Sequence, residues 1–198
     1  MRRKLLTIMA VAAALVVAIQ LTAQAQFGPA KPGPEHKVLD PLVGTWNAKV
    51  KMWLEPGKEP TTSDAKTTRK WIMDGLFLDE AVEGKFMDMP FKGMGLTGYD
   101  TAKKKYVGTW IDSMGSGIMV MEGTYDEKTK TLTAIADDVD PKGKKSKFRN
   151  SIKIMSADHH IQEMFSTPEG GKEMKVMEIH YTKTPAGPAP IKAGTGDK

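Results

Sequence analysis

The chain has 198 residues and no cysteine, which excludes a disulfide scaffold and a lipid-anchored lipoprotein. Its formal net charge of +5 falls to +2 once Arg2, Arg3 and Lys4 are set aside with the first 25 residues, which contain no acid. The remaining lysines are scattered through loops, so nucleic acid is not an expected partner.

Arg2 to Lys4 form a cationic start, residues 5–21 are apolar, and Ala23-Gln24-Ala25 offers a small-x-small cleavage site. That pattern predicts a secretory signal peptide over 1–25 and an exported protein, periplasmic or extracellular in a bacterium, with no membrane attachment after cleavage. Residues 26–34 read as a disordered Gly/Pro linker and 185–198 as a disordered tail. The stretch between them, 35–184, has the size of one domain.

Pro34 suits the first turn of a short helix ending near Leu39. Strands are then predicted over 43–54, 67–73, 76–82, 91–99, 105–112, 118–125, 131–137, 146–155, 160–166 and 173–183. Asp74-Gly75 is a hairpin dipeptide. Tyr99-Asp100 with Lys104 is echoed 26 positions later by Tyr125-Asp126 with Lys130, so one hairpin is written twice. About ten strands on short loops predict an all-β fold, a single antiparallel up-and-down β-barrel whose closure removes exposed edges. A β-sandwich is the alternative, although sandwiches prefer Greek-key crossovers.

Several segments resemble a known family. Leu42-Val43-Gly44-Thr45-Trp46 is similar to the Gly-x-Trp opening of calycins, the lipocalin and fatty-acid-binding barrels. Trp71-Ile72-Met73-Asp74-Gly75, Gly98-Tyr99-Asp100, the run from Tyr106 to Met114, and Met177-Glu178-Ile179-His180-Tyr181-Thr182 resemble the bacterial secreted family called domain of unknown function 1579. The resemblance implies a calycin-like barrel, with Gly44 and Trp46 structural at its base, and no assigned activity. Lys183 stands in the region where lipocalin-like barrels often stack an arginine on that indole.

Enzyme signatures are missing. Gly115-Ser116-Gly117 is not a nucleophile elbow, and Gly143-Lys144-Lys145-Ser146 is not a phosphate loop. His159 and His160 point to opposite faces of a strand, and His159 stands about 13 Å from Glu163 along it, so neither pair chelates one metal. No metal and no cofactor is expected. Methionine pairs such as Met119/Met121 suit barrel filling better than copper, and 137–141 lacks calcium-loop spacing. Haem on His180, the histidine use implied by resemblance to nitrobindins, requires that side chain to face inward.

Aromatic residues on separate strands carry the positive hint. Trp71, Tyr106, Trp110 and Met121 are candidate lining residues for a small apolar or amphipathic ligand, the expected partner. Arg149 and Glu163 are candidate polar ends, Arg149 to pair a ligand carboxylate. Acid/base chemistry by His160 and Glu163, or docking through the basic loop 142–147, are the alternatives.

Overall fold

The computed structural model describes residues 28–139 and 143–185; the expected signal peptide and residues 186–198 lie outside them. The barrel unit starts at Pro32. A single helical turn, α1 (Pro34–Lys37), opens it, with proline at its first position and His36 Nδ1 accepting the Gly33 N–H at 3.0 Å. A 3-10 turn over Asp40–Leu42 leads into the first strand.

Ten antiparallel strands follow: β1 (Gly44–Met52), β2 (Thr61–Ile72), β3 (Phe77–Phe86), β4 (Met89–Asp100), β5 (Lys105–Asp112), β6 (Met119–Asp126), β7 (Thr131–Val139), β8 (Lys145–Ser156), β9 (His159–Pro168) and β10 (Met174–Lys183). Each pairs with its chain neighbours, and β1 pairs with β10 from Trp46↔Lys183 to Met52↔Met177, so the barrel closes. It is an up-and-down barrel as the meander predicts, without the crossovers of a sandwich. Strand β2 begins six residues before its expected start. Thr61 to Lys66 contain no large apolar side chain, so they carry no strand signal, yet they complete the ladder from Met52↔Thr61 to Asn47↔Lys66.

The repeated hairpins are the same turn built twice. Asp100 Oδ1 accepts the N–H groups of Ala102 and Lys103 at 2.9 and 3.0 Å, and Asp126 Oδ1 accepts those of Lys128 and Thr129 at 2.8 and 3.1 Å. Each turn ends on a left-handed lysine, Lys104 and Lys130, both at φ 53°. A side chain is disfavoured there, so Lys104→Gly and Lys130→Gly are each expected to raise stability by roughly 0.5–1 kcal/mol. Urea denaturation of the two single variants checks it; a lower midpoint in either contradicts the strain argument.

Side chains alternate between lumen and exterior. At one end, Leu39 and Leu42 from the α1 segment pack with Leu78, Tyr106 and Leu132 in a buried cluster that plugs the barrel. A second buried cluster, Trp46, Ala48, Ile179 and Tyr181, lies where β1 meets β10. The other end has no such plug among the described residues. There the inward side chains Val50, Val82, Phe91, Trp110, Met121, Phe148 and Met164 are only partly buried. An inward side chain in a closed barrel keeps exposure only if solvent enters, so this half of the lumen is open.

Candidate functional site

The closed end is organised around Trp46, which is fully buried and donates from Nε1 to Leu42 O at 2.9 Å. Gly44 sits at φ 127°, and a Cβ there would lie 3.0 Å from Lys183 Cε. That bare position lets Lys183 cross to the indole, with Nζ 5.2 Å from the ring centroid. Lysine thus makes a cation–π contact with the indole, without a guanidinium's stacking plane.

Above Trp46 lies a buried polar network. Arg69 on β2 donates from Nε to Glu80 Oε1 on β3 at 3.0 Å, and its Nη2 stands 2.7 Å from the same oxygen. Its Nη1 lies 2.8 Å from His160 Nε2 on β9. A guanidinium only donates, so Nε2 must accept, His160 is neutral, and its proton resides on Nδ1. Burial, and then the Arg69 charge, lower the His160 pKa to about 2. The His160 ring stacks on Tyr181 at 4.4 Å and meets the edge of Trp46 at 4.3 Å. Tyr181 donates to Gln162 Oε1 at 2.9 Å, and Gln162 Nε2 donates to Asn150 Oδ1 at 2.9 Å, which carries the network toward the open lumen. Burial raises the Tyr181 pKa, so its hydroxyl keeps its proton.

Two of the sequence-predicted residues belong to the closed end. Trp71 donates to Asp40 Oδ1 at 2.9 Å and packs on the plug, and Tyr106 donates to Glu35 O at 2.9 Å. Burial pushes the Tyr106 phenol up to about 12. Both anchor the α1 segment, and Tyr106 also borders an outer cleft of about 360 Å³ at this end, with Pro34, Glu35, Val38, Tyr99 and Tyr125.

Trp110 and Met121 face the open lumen from β5 and β6, on the neighbouring inward pairs Trp110↔Met119 and Gly108↔Met121. A Cβ on Gly93 would fall 2.4 Å from Trp110 Cζ2, and one on Gly95 3.2 Å from its Cε3. The indole therefore lies flat on a glycine floor of β4, held by Nε1 donating to Asp112 Oδ2 at 2.9 Å. Pressed to the wall, it presents its other ring face to the lumen.

Arg149 and Glu163 do not line this space. Arg149 pairs with Ile135 and Phe165 in the ladders, on the outward parity of β8, where it is bidentate to Glu173 at 2.8 and 2.7 Å and stands 3.9 Å over the Phe165 ring. Glu163 is outward on β9, bonded to Lys175 and lining a shallow outer cleft of about 190 Å³ with Glu178 and His180. His160 is inward, so the expected His160/Glu163 acid–base pair is split by the barrel wall. His180 is outward too, donating to Glu178 at 3.0 Å, and cannot ligate a haem in the lumen. Among the described residues, no group of three His, Asp or Glu side chains is placed to hold a metal ion. Arg69 and Glu80 escaped the sequence reading. Their signal was parity: Arg69 shares a face with Trp71, and Glu80 with Leu78 and Val82.

Residues 31–183 match the family described as "Protein of unknown function (DUF1579)". No curated protein matches the sequence. Among solved structures, the chain is similar to Rv2717c from M. tuberculosis, with 13% identity, a TM-score of 0.59, and coverage of 77% of this chain and 98% of that one. It is also similar to the S-type phycobiliprotein lyase CPES from Guillardia theta, with 12% identity, a TM-score of 0.53, and coverage of 77% and 94%.

Proposed function

The chain belongs to the DUF1579 family, and from that premise we propose that it binds a small apolar or amphipathic ligand in the open half of its lumen, after export. The observation that carries this reading is Trp110, flat on Gly93 and Gly95, with Phe91, Met121, Phe148 and Met164 partly exposed on other inward positions of the same half. Such a concave apolar wall with few polar groups suits a small molecule. The fold neighbours support ligand handling at most, since fold does not transfer activity.

The polar end of the ligand is neutral or cationic. The inward acids Asp112 and Asp138 lie along the open half of the wall, whereas the inward basic side chains of the described strands, Arg69, His160 and Lys183, are gathered at the closed end, where Arg69 also engages Glu80. With Arg149 outside, no basic side chain of the described strands lines the open half of the lumen.

The test is titration of the purified protein with the neutral fluorophore N-phenyl-1-naphthylamine, displaced by decyltrimethylammonium or by decanoate. Saturable one-to-one binding is expected, with stronger displacement by the cationic amphiphile. Val82→Trp, which fills the lumen, should weaken binding at least tenfold while circular dichroism stays unchanged, and Arg149→Ala should leave it intact. Absence of saturable binding, or equal binding by Val82→Trp, overturns the reading.

A further inference from the structure

The outer wall is charged nearly all round. Lys49 and Lys51 on β1, Lys66 and Lys70 on β2, and Lys145, Lys147, Arg149 and Lys153 on β8 occupy the outward positions of their strands. The centre of the β4–β5–β6 wall is the exception. Beyond Lys105 at its start, the outward positions on β5 read Val107, Thr109 and Ile111, without a charge. Around them Met94, Leu96, Ile111, Val120 and Ile135 are 53, 40, 44, 59 and 50% exposed, and Ile118, just before β6, is 69% exposed. The ladders make them neighbours: Met94 pairs with Ile111, Leu96 with Thr109, Thr109 with Val120, and Glu122 with Ile135.

Together these side chains leave on the order of 600 Å² of apolar surface, the top of the range a lone monomer shows. A stable interface takes roughly 800 Å² per partner, with a polar rim around an apolar centre. The rim here is of mixed sign at both ends. Lys103 and Lys105 hold Glu122 at 2.6 and 3.2 Å near the closed end, while Glu83–Lys92 at 3.7 Å and Asp137–Lys147 at 3.0 Å stand toward the open end. A surface with both signs at each end complements itself about a two-fold axis. A lipid surface would instead want a cationic rim, and Glu83, Glu122 and Asp137 stand in that plane.

We infer that the β4–β5–β6 wall is the interface of a symmetric homodimer, with a second copy of this chain covering Met94, Leu96, Ile111, Ile118 and Val120. The lumen opens at the strand ends, so this contact leaves the ligand site free.

Sedimentation velocity of the purified protein across micromolar concentrations tests it. A dimer that dissociates on dilution is expected, and Val120→Lys should weaken it at least tenfold while circular dichroism and melting temperature stay close to those of the parent. The cysteine-free chain offers a second readout independent of that variant. Thr109→Cys, at the centre of the patch, should form an intermolecular disulfide rapidly under mild oxidation, and Lys66→Cys on β2, three strands away, should not. A monomer at all concentrations, a dimer indifferent to Val120→Lys, equal cross-linking at both sites, or vesicle binding by a monomeric protein each overturn the inference.

Discussion

Arg69→Met is expected to destabilise the barrel by roughly 3–5 kcal/mol, the cost of stripping the partner from a charge within the wall. The Arg69 side chain is 2% exposed, and Glu80 Oε1 takes both its Nε and its Nη2 contact. Burial opposes the Arg69 charge, and the Glu80 carboxylate more than compensates, raising its pKa. Methionine in its place strips the Glu80 carboxylate of its partner and removes the donor to His160 Nε2. The double variant Arg69→Met/Glu80→Met is expected to regain most of the loss, because an ion pair removed whole leaves no orphaned charge. Urea unfolding of parent, single and double variants measures the coupling. Equal destabilisation of single and double variants would mean that the pair is not the source.

Acid is expected to weaken the fold well before carboxylates titrate. His160 has a pKa of about 2 in the folded barrel, where burial and Arg69 hold it neutral, against about 6.5 in an unfolded chain. Below pH 6.5 the unfolded state therefore binds a proton that the native state refuses, and stability falls with falling pH by about 1.4 kcal/mol per unit. The contribution is absent above pH 6.5 and amounts to roughly 3 kcal/mol of lost stability by pH 4.5. Glu178 has its pKa lowered to about 2 by bonds from Lys175 and His180, so its own loss begins only as pH drops below 4.5. Denaturant midpoints at pH 7.5, 6.0 and 4.5 give the slope. His160→Gln, which keeps an acceptor for Arg69 but no titration, should be less stable than the parent at pH 7.5 and show a flatter dependence. Parallel curves for the two proteins would rule out His160 as the origin.

Much of the architecture was legible because its signals are local. Asp100 and Asp126 cap their own turns within three residues, and β5 was placed at its observed ends by Asp100, Lys104 and the run from Tyr106. Gly44 and Trp46 announced the closed end through their resemblance to a calycin Gly-x-Trp opening, and the structure puts the glycine at φ 127° and buries the ring. The start of β2 was not legible, since Thr61 to Lys66 are strand only because β1 pairs with them.

The site was legible in part, and its failures have one cause. Strand β9 carries Ile161, Glu163 and Phe165 on one face and His160, Gln162 and Met164 on the other, so hydrophobicity alone does not choose the inner one. The choice falls to β10, where Tyr181↔His160 and Ile179↔Gln162 bring the buried faces together. Phe165 is then left outside, where Arg149 and Lys175 stand over its ring. That stacking satisfies the guanidinium on the exterior and takes Arg149 from the lumen. Sequence by itself determined the ten-strand meander and its turns, because neighbours along the chain specify them. Only the tertiary structure decided which face of β9 is inside, that Arg69 and Glu80 meet His160, and that Trp110 lies flat on Gly93. Those facts depend on register between strands distant in sequence, where a one-residue shift turns every side chain to the other face.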